Sequence, residues 1–105
     1  MVSSTGGFVT VNGYEELAQR IAMKLTARRG GFALLPEFGS RLYLLGNTKV
    51  SERVTAARQY VAEALSDEEN LVLEQISVSE ITEGTIRIDT EFTYEGDRLY
   101  VTTTI

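Results

Sequence analysis

Apolar residues change period along this chain, from helical spacing in the first two thirds to strand alternation in the last. Tyr14, Leu17, Ala18, Ile21, Ala22 and Leu25 recur three and four residues apart and predict an amphipathic helix from about Tyr14 to Ala27. Asn12, with Glu15 three residues on, has the capping-box pattern at its start. Arg28 and Arg29 suit the negative end of the helix dipole, and Gly30-Gly31 stop the helix. Met23 falls off the stripe. A second stripe of Val54, Ala57, Val61, Ala64 and Leu65 predicts a helix capped by Ser51 and running to about Ser66. Between the helices lie an apolar run, Phe32–Leu35, a turn over Pro36–Ser40, and Arg41–Leu45, which is expected to make a helical turn or more. Phe8–Val11 reads as a short strand, and residues 1–7 as a flexible leader to a single domain over 8–105.

From Leu71 onward the alternation is that of strands. A two-residue Gly96-Asp97 turn would set Tyr94 opposite Leu99, Phe92 opposite Val101, Thr90 opposite Thr103 and Ile88 opposite Ile105, with every apolar residue on one face. A three-residue loop, Thr82-Glu83-Gly84, would set Val78 opposite Ile88 and Ile76 opposite Thr90. Leu71 and Leu73 have the opposite parity to Ile76 and Val78, so a bulge is expected near Glu74-Gln75. The expected fold is therefore α+β: two amphipathic helices packed on a C-terminal three-stranded antiparallel meander, with a short N-terminal strand. Its last strand, Arg98–Ile105, is expected at an open edge, where Thr102 and Thr104 are candidates for strand addition by a partner.

Composition narrows the chemistry. The 105 residues suit one modest core, and 43% hydrophobic with 24% charged residues is a globular balance. Cysteine and histidine are both missing, which removes disulfides, thiolate metal sites and the commonest general base. No loop has the acid spacing of a calcium or magnesium site, so no cofactor or metal is expected. No segment reaches the length of a membrane span, and Met1–Asn12 lacks a signal-peptide pattern, so cytoplasmic synthesis is expected. A net charge of −5 argues against duplex nucleic acid as a partner. The charge divides unevenly, +3 over residues 1–50 and −8 over 51–105. This reads either as a solvated surface or as a molecule with one basic and one acidic face.

The stretch Leu25-Thr26, Arg29-Gly30-Gly31-Phe32 and Pro36-Glu37-Phe38-Gly39-Ser40-Arg41-Leu42 resembles the phage baseplate assembly protein W family, also called the gene 25-like family. The order and spacing of elements match from about Tyr14 to Ile105. The resemblance implies a helix ending in Leu-Thr, a glycine turn, a short strand, the Pro-acidic-aromatic-Gly-Ser run, a second helix and terminal strands. It implies a structural component of the baseplate wedge of a contractile phage tail or related injection machine, located in the virion tail. The partners it implies are other wedge proteins, tube or hub, and sheath. Family members often carry Glu-Pro-Arg after the second helix as a contact for neighbouring wedge helices. Here those positions read Glu68-Glu69-Asn70, and only Glu68 keeps the pattern.

The candidate partner-binding residues are thus Arg28, Arg29, Pro36, Glu37, Phe38, Gly39, Ser40, Arg41, Glu68, Glu69, Asn70, Thr102 and Thr104. Each also has a structural reading. Pro36 fixes φ, Gly39 takes a positive φ, Ser40 caps the next segment, Phe38 packs inward, and Arg28-Arg29 complement a helix end. A lysozyme-like label attached to the family raises a glycoside hydrolase as one alternative, with Glu37 beside Phe38 the best-placed carboxyl. No catalytic residue is expected. A general soluble adaptor is the other alternative, and an isolated chain lacking its partners is open to self-association.

Overall fold

The computed structural model describes residues 8–9 and 14–105. Strand β1 (Phe8–Val9) precedes helix α1 (Glu15–Thr26), two 3-10 segments (Leu42–Asn47 and Val50–Glu52), helix α2 (Arg53–Ala64) and strands β2 (Leu71–Thr82), β3 (Thr85–Tyr94) and β4 (Asp97–Thr104). The expected cap at Asn12 and the proposed leader over residues 1–7 lie outside the described residues. Tyr14 stands at the start of α1, and its hydroxyl donates to Asp97 Oδ2 at 3.0 Å, which ties the helix start to the last hairpin. No side chain caps α2: a single 3-10 turn from Val50 leads into it, so Ser51 lies before the helix rather than at its cap.

The α+β architecture is as the sequence patterning implies. One sheet face carries Ile86, Ile88, Phe92, Leu99 and Val101, all buried, against Leu17, Ile21 and Leu25 of α1 and Ala57, Val61 and Ala64 of α2. The short side chains of α2 suit close packing on this surface. Val54, placed on the inner stripe by spacing, is instead 45% exposed, and half-buried Ala56 and Tyr60 pack against the core.

The terminal hairpin corrects the expected register. Tyr94 pairs with Asp97, Phe92 with Leu99, Thr90 with Val101 and Ile88 with Thr103, so Glu95-Gly96 forms the loop rather than Gly96-Asp97. Both loop residues have positive φ, 52° and 89°, the twist that matches two-residue hairpins. The shift is two residues along the pair. Every side chain therefore keeps its expected face, which is why alternation alone could not exclude the wrong pairing. At the preceding hairpin Val78 pairs with Ile88 and Ile76 with Thr90, as expected. Thr82 pairs with Thr85 around Glu83-Gly84, and a bulge between Glu80 and Thr82 supplies the extra residue. The bulge expected near Glu74 is present between Leu73 and Gln75.

Sheet order is β1-β4-β3-β2. The expected open edge on the last strand is thus overturned: β1 pairs beside it, Phe8 with Val101 and Val9 with Tyr100. The long free edge is β2, broken by its two bulges and carrying Glu74 and Glu80, features that discourage edge-to-edge association. Thr102 lies on the outer face and donates to Asp89 Oδ1 at 2.7 Å, and Thr104 is exposed opposite Arg87.

The short strand implied after Gly30-Gly31 does not form. Phe32–Pro36 is an irregular loop, and only an isolated parallel bridge, Arg28 to Ser40, runs beside it. No helix among the described residues is long and apolar enough to cross a membrane.

Candidate functional site

Gly39 and Ser40 form the junction on which this region is built. Gly39 has φ +103°, and a Cβ there would lie 2.7 Å from Ala27 O, 2.8 Å from Arg28 C and 2.9 Å from Arg29 N. Only glycine permits that approach of one backbone to another. The approach lets the Ser40 amide donate to Ala27 O at 2.8 Å, and lets Ser40 O accept from the Arg29 amide at 2.9 Å. Ser40 Oγ, fully buried, donates to Leu25 O at 2.7 Å and accepts from the Leu42 amide at 3.3 Å. One hydroxyl therefore satisfies an end carbonyl of α1 and the first amide of the following 3-10 segment. Gly39 and Ser40 are interior, so they shape the surface without presenting themselves on it.

The residues before this junction face outward. Leu34 is 93% exposed, Phe32 and Leu35 are also exposed, and so are Pro36 and Glu37. Phe38, expected to pack inward, is only half-buried and meets Phe32 edge to face, with ring centroids 5.7 Å apart. Leu35, Pro36, Phe38 and Ala64 contribute apolar walls to a groove of about 420 Å³ between this loop and the end of α2. Lys24, Arg29, Glu63 and Asp67 supply its polar parts.

Two charge clusters join the halves of the chain. Glu68 Oε2 and Oε1 accept from Arg20 Nε and Nη2 at 2.8 and 2.9 Å, and Lys24 Nζ donates to Glu68 at 2.7 Å and to Asp67 at 2.8 Å. The Glu68 side chain is 8% exposed, and the Arg20 hydrogen bonds, with help from Lys24, hold its carboxyl down at about 2 against the pull of burial. The Lys24 hydrogen bond likewise holds Asp67 below its ordinary range. Burial disfavours the Lys24 ammonium, but its bonds to Asp67 and Glu68 outweigh this and raise its pKa. Arg29 and Arg41 share the second cluster, with Nε atoms 3.7 and 3.6 Å from Glu63 Oε1. Arg29 Nε and Glu63 Oε1 are both buried, with no hydrogen-bond partner among the described residues.

Four of the six basic residues of the first half, Arg20, Lys24, Arg29 and Arg41, thus pair with acids of the second. Arg28 is exposed, with its guanidinium 4.8 Å from the centre of the Tyr43 ring, and Glu69 and Asn70 are exposed in the turn into β2. Asn70 has a φ of 63°, a conformation asparagine tolerates. Thus Arg28, Arg29, Pro36–Phe38 and Arg41 gather around or beside one loop, Glu68–Asn70 lie past the far end of α2, and Thr102 and Thr104 lie on the outer sheet face. The exposure of Leu34 and Leu35 was not legible as a site, because an apolar run of that length reads equally well as a buried strand.

No protein-family model matches the chain, and no curated protein matches it. Among solved structures, the chain is similar to a Geobacter sulfurreducens protein provisionally named a tail lysozyme, with a TM-score of 0.69 and 24% identity over 92% of this chain and 93% of that one. At that identity the likeness is one of fold.

Proposed function

We propose that this chain is a structural component of the baseplate of a contractile phage tail or related injection machine, acting by binding neighbouring subunits rather than by catalysis. The observation that carries this reading is the fold likeness over nearly the full length of both chains to a protein named for a tail. The protein W-like run Pro36–Ser40 agrees with it, since its glycine and serine build the junction that projects an apolar loop into solvent. The proposed partners are wedge, tube or hub, and sheath proteins, and the proposed place is the virion tail. The surface proposed for them comprises the Phe32–Phe38 loop and the exposed Glu69 and Asn70 beyond α2.

Electrostatics speak against Asp67, Glu68 and Glu80 as the proton donor of the hydrolase suggested by the relative's name. Glycoside hydrolysis needs one carboxyl held protonated by a raised pKa beside an ionised one. The carboxyls whose ionisation the fold shifts, Asp67, Glu68 and Glu80, are all held below their ordinary range. Glu68 is moreover saturated by two cations. Co-expression with the products of adjacent genes, followed by pull-down, is expected to recover a stoichiometric complex with at least one tail component. Cell-wall turbidity clearance by the pure chain that disappears in Glu37→Gln would overturn the non-catalytic reading.

A further inference from the structure

We infer that Arg28, held on the Tyr43 ring, receives a glutamate or aspartate side chain of a neighbouring protein. Acids outnumber bases in this chain by 15 to 10. Even so, among the described residues Arg28, Lys49 and Arg58 form no ion pair, whereas every other Lys and Arg does. Residues 1–13 contain no acid that could serve them. Of these three cations only Arg28 is held on an aromatic ring among the described residues, its guanidinium 4.8 Å from the centre of Tyr43. Stacking on the ring face satisfies no hydrogen bond. The N–H groups along the guanidinium edge therefore stay free for a planar, bidentate acceptor.

Arg28 and Tyr43 stand at a cleft of about 350 Å³ between the end of α1, the first 3-10 segment and the β2–β3 turn. Ile86 and Ile105 give it apolar walls, Thr26 and Thr104 give it hydroxyls, and Arg28 is the one charged side chain among the residues lining it. Its field therefore has a single sign, unlike the internally paired groove beside the Phe32–Phe38 loop, with which it shares no lining residue. Gly46 supplies an independent observation. It lines the cleft at a φ outside the left-handed region, and a Cβ there would meet nothing within 4 Å. Neither backbone conformation nor packing within the chain calls for glycine at that position, and its effect is to leave the cleft open to a close approach. Phosphate groups are met by clusters of arginines; here there is one, which matches the single charge of a carboxylate. All the lining residues but Ile86 and Ile105 are exposed, so the cleft is too open to bury most of a small molecule. It suits a side chain projecting from a larger surface. The inference is independent of the assignment to a tail.

Titration of the isotope-labelled full chain, followed by amide chemical shifts in nuclear magnetic resonance, tests it. The probes are the capped peptide acetyl-Gly-Leu-Glu-Leu-Gly-amide and its counterpart with glutamine in place of glutamate. The glutamate peptide is expected to shift the amides of Thr26, Arg28, Tyr43, Gly46 and Thr104 at millimolar concentration, and the glutamine peptide to bind about tenfold more weakly. Arg28→Gln should lose the same factor, and Arg28→Lys should stay well below the parent because it keeps the charge without the planar fork. Gly46→Leu, which fills the cleft, should weaken binding about tenfold with no loss of thermal stability. Arg58→Gln, which removes an unpaired cation elsewhere, should change nothing. Circular dichroism matching the parent establishes that each variant is folded. Equal binding of the two peptides, shifts outside the cleft, or no shifts at all would overturn the inference. So would cleft shifts that appear on concentrating the chain alone, since a second copy would then supply the carboxylate.

Discussion

Replacing Gly39 with alanine tests the junction that shapes the candidate surface. Two costs add. The first is backbone strain, since φ +103° lies in a region that costs a residue with a Cβ on the order of 1–3 kcal/mol. The second is steric: the new methyl would sit 2.7–2.9 Å from three backbone atoms of Ala27, Arg28 and Arg29, none of which can rotate away. Relief requires prising the two backbone segments of the junction apart, which strains the Ser40 amide and hydroxyl bonds to Ala27 and Leu25 at about 1 kcal/mol each. The expected loss is therefore about 3–5 kcal/mol, a large share of the ~5–15 kcal/mol that holds a domain of this size. At roughly 4–8 °C per kcal/mol the melting temperature should fall by about 12–40 °C. Urea and thermal unfolding followed by far-ultraviolet circular dichroism measure it. Gly30→Ala is the control, because Gly30 also has a positive φ, +87°, but its Cβ would meet nothing within 4 Å. It should lose only about 1–2 kcal/mol. Equal losses at the two positions would refute the claim that close backbone approach, rather than φ alone, demands Gly39.

Three further outcomes are expected. Glu68→Gln should destabilise the fold by about 1–2 kcal/mol at neutral pH, below the roughly 3 kcal/mol that a pKa moved from 4.5 to about 2 would represent, because Arg20 is half-exposed and water screens that pair. A carboxyl depressed in the folded state stabilises above its unfolded pKa, so the difference between Glu68→Gln and the parent should be full above pH 4.5 and vanish as pH falls through about 2, as read by urea midpoints across pH. Glu95→Asn should raise stability by about 0.5–1 kcal/mol, since Asn-Gly suits a loop with positive φ at both residues, and an unchanged urea midpoint would contradict the revised register. Ser40→Ala should cost about 1–3 kcal/mol in the same assay, because it leaves the buried Leu25 carbonyl and Leu42 amide without their hydroxyl.

How much the sequence disclosed depends on the quantity each signal measures. Alternation fixes faces, so the buried row Ile88, Phe92, Leu99 and Val101 and the bulge after Leu73 were legible. It does not fix pairing by multiples of two, and the choice between Glu95-Gly96 and Gly96-Asp97 rested on a glutamate at positive φ, which residue type alone disfavours. The place of β1 was hidden because a two-residue strand near the chain start carries no pattern naming its neighbour. Charge counted by halves missed that Arg20, Lys24, Arg29 and Arg41 fold onto Glu63, Asp67 and Glu68. Within the candidate site, Gly39 and Ser40 stood out because only special residues tolerate such a junction. The outward Leu34 did not, because hydrophobicity reports a preference for burial without saying in which molecule.

The most direct test of a structural role in a tail is a deletion of this gene in a host that produces the particle, complemented by variants, with assembled tails counted by electron microscopy. Such a role predicts no sheathed tails in the deletion strain, full restoration by the wild-type chain and by Glu37→Gln, and failure of Gly39→Ala. Normal tails in the deletion strain would contradict it.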